Sequence, residues 1–248
     1  MFPSRLVSVL GKGAFENNYS LDFDGTDEDI VVADDSSLDI TTDITISCWV
    51  KVSSFDSDYD GLVGKDDIGG VGYALWLDKG GSTSVGTANF APRVYNGQLA
   101  TSGSLNINTW YHIVGTHESG SVDENKIYIN GVLADTTADT YSMAANNDPL
   151  HIGSQFGGNS GYNLNGSLDG VAIWNTTLSA NAITAIYNNG KPTDLRSNSG
   201  NYTSASSLVG YWRCGDGDTY PTITDNSTNS NDGTMTNMAA EDIVEDTP

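Results

Sequence analysis

The stretch Lys126-Ile-Tyr-Ile-Asn-Gly-Val-Leu-Ala134 constrains the fold more than any other part of the chain. Apolar residues alternate on either side of Asn130-Gly131. An Asn-Gly pair in that setting makes a two-residue hairpin turn, because both central positions need positive φ. The same period of two recurs elsewhere. In residues 43–52, Ile44, Ile46, Cys48 and Val50 point one way, and Trp49 and Lys51 the other. Ser20-Leu-Asp-Phe-Asp24 alternates apolar with acidic residues. Further strands read as residues 29–33, 61–65, 73–77, 91–95, 110–116, 150–153, 168–174 and 207–214. Strands at a spacing of roughly 8–12 residues with turns between them predict an all-β sandwich.

One helix interrupts this pattern near 179–189. Ser179 is a good N-cap, Ile183, Ile186 and Tyr187 share a face, Gly190 suits a left-handed terminus, and Pro192 stops continuation. A helix this short must pack on the sandwich to persist. The chain divides into an N-terminal arm (1–18), the sandwich (19–191) and a C-terminal appendage (192–248). The appendage holds strand 207–214, a polar loop over 225–232 and an acidic tail from 239, which reads as extended.

Charge narrows the partners. The 248 residues carry a formal net charge of −22, with 26 Asp against 6 Glu. Such a surface repels nucleic acid and anionic membranes. No apolar run approaches the roughly 18–20 residues of a membrane span, and the N-terminal apolar stretch is too short for a secretory signal. Cys48 and Cys214 both read as buried thiols rather than a disulfide framework.

Seven segments, in family order, resemble the laminin-G-like jelly rolls of the concanavalin A-like lectin/glucanase superfamily. They are Leu21-Asp-Phe-Asp-Gly25 with Ile30-Val-Val32, then Ile44-Thr-Ile-Ser-Cys-Trp-Val-Lys51, Thr109-Trp-Tyr-His-Ile-Val114 and Lys126-Ile-Tyr-Ile-Asn-Gly131. Leu150-His-Ile-Gly153, Leu168-Asp-Gly-Val-Ala-Ile-Trp174 and the helical segment 178–190 complete them. The resemblance implies a jelly-roll β-sandwich of two antiparallel sheets. It also implies a structural calcium joining Asp24 and the Gly25 carbonyl to Asp169. In style the chain also resembles laminin-G-like structural proteins of marine bacteriophages, which would place it on a virion surface or outside the cell.

The residues speak against catalysis. Glucanases of this superfamily space carboxylates as Glu-x-Asp-x-(x)-Glu along one strand. Glu16, Glu28, Glu118, Glu124, Glu241 and Glu245 start no such motif. His112, His117 and His151 have no zinc spacing. Asp225-x-Ser-x-Asn229 with Asn231 and Asp232 imitates a calcium loop but lacks its terminal Glu, and reads better as a solvated loop. In Ile152-Gly-Ser-Gln-Phe-Gly-Gly158, where pentraxins place acidic calcium ligands, Gln155 alone remains an oxygen donor. Sugar binding needs aromatic faces beside fixed polar groups, and the candidates are Tyr73, Trp76, Tyr95, Phe156 and Tyr162.

The expectation is therefore a non-catalytic recognition or structural module on a particle surface. Its partners would be cell-surface or extracellular glycans, other virion subunits, or copies of itself in a homo-oligomer. The alternatives are a subunit-contact protein of a capsid or tail without sugar binding, and a polysaccharide hydrolase.

Overall fold

The computed structural model describes residues 15–56, 58–66, 72–92, 99–121, 124–138, 143–155 and 161–248. The strands, in chain order, are β1 (Ser20–Asp24), β2 (Asp29–Val32), β3 (Ile44–Val52), β4 (Asp60–Asp66), β5 (Gly72–Asp78), β6 (Val85–Ala91), β7 (Ala100–Thr101), β8 (Leu105–Asn106) and β9 (Trp110–His117). They continue with β10 (Asn125–Ile129), β11 (Val132–Thr137), β12 (Leu150–Ile152) and β13 (Asn165–Trp174). Helix α1 (Ala180–Tyr187) then precedes β14 (Leu208–Trp212), β15 (Thr222–Ile223), β16 (Gly233–Thr236) and β17 (Ile243–Val244).

These strands form two antiparallel sheets facing each other. The eight-stranded sheet runs β11-β10-β9-β3-β13-β1-β17, with β14 also paired to β13. The nine-stranded sheet runs β15-β16-β2-β12-β4-β5-β6-β7, with β8 also paired to β6. The period-two residues of the sequence meet between the sheets: Ile44, Ile46, Cys48 and Val50 of β3 are fully buried in the same core as Ile30, Leu75 and Ile152. The turn residues Asn130 and Gly131 take φ of 52° and 77°, as the hairpin requires. Both cysteines are buried free thiols. No described helix is long and apolar enough to cross a membrane.

β3 is buried on both faces because a second core covers the outer face of the eight-stranded sheet. There Trp174, Leu178, Ile183, Ile186, Leu195, Tyr202 and Tyr211 pack together. α1 supplies part of this cover. Ser179 Oγ accepts from Ala182 N at 3.2 Å, and the left-handed turn begins at Asn188 (φ 47°), two residues before Gly190. Ser179→Ala should cost about 1 kcal/mol, read as a shift of the urea midpoint, whereas Ser179→Asp should cost little.

The segment after Pro192 folds into the same sandwich. β14 extends β13, β16 lies against β2, and β17 pairs with β1. The polar loop before β16 owes its shape to Asp225. Its Oδ1 accepts from Tyr211 N (2.9 Å) and Ser227 N (2.8 Å), and its Oδ2 from Ser227 Oγ (2.7 Å) and Asn231 N (2.8 Å). Those oxygens are spent on the protein's own donors, so the calcium-like spacing is a structural knot. Two expectations are corrected. A strand, β6, runs up to Ala91 with Ala88 and Phe90 facing the core, so it begins before the strand read at 91–95, of which residues 93–95 lie outside the described residues. The acidic tail is tied down by β17 rather than merely extended.

Candidate functional site

On β12, Leu150 and Ile152 point into the core, so His151 between them faces outward from the nine-stranded sheet. On neighbouring β2, Ile30 and Val32 are likewise inward and Asp29 outward. His151 Nδ1 lies 2.6 Å from Asp29 Oδ2, and Ser154 Oγ donates to the same oxygen at 3.2 Å. The carboxylate takes a hydrogen bond from the imidazole at Nδ1, which turns Nε2 away from Asp29.

That Nε2 is buried and unpartnered, as are both side-chain amide atoms of Gln155 and the Oδ1 of Asn163. Asn163 Nδ2 is spent on the Glu28 carbonyl at 3.1 Å. An unsatisfied buried polar atom costs about 1–3 kcal/mol unless water or ligand meets it. The residues that carry these atoms flank one loop, so the atoms form a polar array at the end of β12.

Gly61 makes the array compact. A Cβ there would stand 2.1 Å from the Ser154 carbonyl carbon, so only glycine lets β4 approach the loop after β12. Gly61 N donates to Tyr162 O at 2.9 Å, which seats Tyr162 beside Ser154 and Gln155. The Tyr162 ring stacks on Tyr59, with centroids 6.2 Å apart and planes at 28°. Tyr59 is 43% exposed, so the pair presents an aromatic surface at the margin of the buried array. Asp66, buried on β4, leans over Gly64, the residue paired with His151. Burial, with smaller contributions from the carboxylates of Asp24, Asp242 and Asp22, pushes Glu28 up to about 7 despite its bond from Asp24 N.

Of the residues named from sequence, Tyr162 belongs to this surface. Tyr73 does not: it is 1% exposed in the main core, and its hydroxyl donates to Leu38 O at 3.0 Å. Trp76 is 3% exposed against Ala74 and Ala91 and presents no open face. Tyr95 and Phe156 lie outside the described residues. Tyr59, His151, Asn163 and Ser154 were not singled out for binding. The one local signal was a small polar pair, Ser154-Gln155, directly after a short strand.

The calcium set does not converge. Asp24 pairs with Asn165 on β13, and Asp169 lies four residues further along that strand, roughly 13 Å away. Asp24 Oδ1 accepts from Thr26 N at 2.7 Å, and Asp169 Oδ2 from Asn17 Nδ2 at 2.7 Å. Among the described residues, no three His, Cys, Asp or Glu gather in a way that could hold a metal ion.

A second polar pair lies on the outer face of the eight-stranded sheet, in a recess lined by Ser47, Trp49, His112, Gly170 and Tyr211. Ser47 Oγ and His112 Nε2 are 2.8 Å apart. Burial pulls His112 down to about 3, so it is a poor base for activating the serine. His112 also lies tilted against Trp49, with centroids 4.8 Å apart, and stacks on Tyr187 at 6.0 Å, as a packed core imidazole would.

The model of a family described as the concanavalin A-like lectin/glucanases superfamily matches residues 24–184. No curated protein sequence matches the chain. Among solved structures, a candidate carbohydrate-binding protein of Bacteroides ovatus aligns with TM-score 0.68 and 19% identity over 94% of this chain; the chain spans 60% of that protein's length. A heptameric SAP-like pentraxin of Limulus polyphemus aligns with TM-score 0.57 and 13% identity over 70% of this chain and 84% of its own.

Proposed function

Because the chain belongs to the concanavalin A-like lectin/glucanases superfamily, we propose that it is a non-catalytic glycan-recognition module. It binds sugar at the Tyr59–Tyr162 surface and the unpartnered polar atoms of His151, Gln155 and Asn163. One observation carries this reading: a stacked aromatic pair, with Tyr59 exposed and Tyr162 partly so, adjoins buried polar atoms that lack partners. An aromatic face takes the C–H side of a pyranose, and fixed polar groups take its hydroxyls. The Bacteroides ovatus protein, itself a candidate carbohydrate-binding protein, supports the same reading. Nothing in the fold or its relatives bears on a particle-surface role, and glycan recognition is proposed without it.

Binding is weak per site and strengthened by clustering of copies. A glycan array probed with multivalent protein should return binders. Tyr59→Ala and Tyr162→Ala should each weaken that binding about tenfold, the loss of roughly 1.4 kcal/mol of contact. An empty array at high valency would sink the proposal, as would two variants that bind like the parent.

A further inference from the structure

Resting on that reading of the site, we propose that its ligand is an uncharged, hydroxyl-rich glycan and that sulfated, phosphorylated or uronate-rich glycans are excluded. The hydrogen-bonding polarity of the array is the first reason. Of its unpartnered amide atoms, Asn163 Oδ1 and Gln155 Oε1 accept, and Gln155 Nε2 alone donates. A sugar hydroxyl satisfies such a set, because it brings a proton to each acceptor and a lone pair to the amide. A sulfate, phosphate or carboxylate brings only lone pairs and would leave both buried amide acceptors facing negative oxygen.

Charge is the second reason. Asp29 is 4% exposed at the centre of the array, Asp66 is 1% exposed beside it, and the Glu28 carboxyl lies next to the carbonyl that holds Asn163. Among the described cations, Lys51, Lys65, Lys79, Lys126, Arg196 and Arg213 are each paired with an Asp or Glu, and Lys191 stands just past α1, which covers the other sheet. Lys65, the nearest of these in sequence to Tyr59, is enclosed by Asp34 and Asp39, and Lys79 is held 3.0 Å from Asp58, the neighbour of Tyr59. An anion entering here would lose its hydration without gaining a counter-charge. Glycan sites that take anions use arginine forks or lysine clusters, whose geometry suits sulfate and carboxylate.

Affinity electrophoresis of the full chain tests this, in gels carrying one polymer at a time: a neutral β-glucan, a galactomannan, polygalacturonate or dextran sulfate. The expected result is retardation by at least one neutral polymer and by neither anionic one. Gln155→Ala should weaken the neutral retention at least tenfold without lowering the thermal midpoint, because its amide atoms hold nothing in the fold. Retardation by the anionic polymers alone would overturn the inference and leave glycan recognition standing. Retardation by none would overturn both. Neutral binding untouched in Gln155→Ala would remove the array from the site and with it the reason for the selectivity.

Discussion

Replacing Lys65 with methionine should lower stability by on the order of 3 kcal/mol, a fall of roughly 6–12 °C in Tm for a chain of this size. Lys65 is 1% exposed, and its stem lies along the inner side of β4 opposite Tyr73. Its Nζ donates to Asp34 Oδ1 at 2.8 Å, Asn146 O at 2.8 Å and Asn146 Oδ1 at 2.9 Å, and stands 3.2 Å from Asp39 Oδ1. Four oxygens from two loops thus converge on one ammonium. Methionine keeps the apolar stem and removes the charge, so the loss reports the cage rather than the packing. The aspartates would then face each other without a counter-ion, softened only by their partial exposure (34% and 25% of their side chains). Scanning calorimetry of Lys65→Met against Asp34→Asn and the double variant measures the coupling. A variant as stable as the parent would show that water replaces the ammonium at no cost.

Asp169→Asn should act in the opposite direction and depend on pH. Asp169 is fully buried at the bulge where β13 passes from β1 to β14, and its Oδ1 has no hydrogen-bond partner. Burial, more than the nearby Asp216, pushes its carboxyl from 3.8 up to about 7. A folded-state pKa above the unfolded one means that the protonated acid favours the fold. The stabilising contribution is full below about pH 4 and is lost as pH rises towards 7. At pH 8 the ionised group costs on the order of 4 kcal/mol. Asparagine copies the protonated shape and still accepts from Asn17, although its own amide lacks a partner. The variant should therefore gain roughly 2–3 kcal/mol at pH 8 and almost nothing at pH 4. Urea midpoints of parent and variant across pH 4–8 decide this. A difference that stays flat with pH would mean that the carboxyl titrates normally.

The two residues illustrate what local sequence conveys. Lys65 in Gly61-Leu-Val-Gly-Lys65 reads as the polar end of a strand, and nothing in the stretch announces that loops around Asp34, Asp39 and Asn146 converge there. Asp169 reads as the acidic partner of a calcium site. Only the antiparallel register places Asp24 against Asn165 and sends Asp169 to the far part of the strand. The aromatic candidates divide for the same reason. Tyr73 and Trp76 alternate along β5 and so face opposite sides, yet both are covered. Tyr162 sits in a glycine-bearing loop and stays partly open.

The order of apolar and polar residues alone determined the strand type, the Asn130-Gly131 turn, the capped helix after Ser179 and the inward faces of β3 and β12, because each depends on neighbours within a few residues. Tertiary structure decided where the C-terminal strands insert, that Lys65 serves as the cation of two loops, and that Tyr59, His151, Gln155 and Asn163 share one corner. Those outcomes depend on pairing registers between segments about a hundred residues apart, and period-two patterning fixes which face a side chain takes without fixing what it meets there.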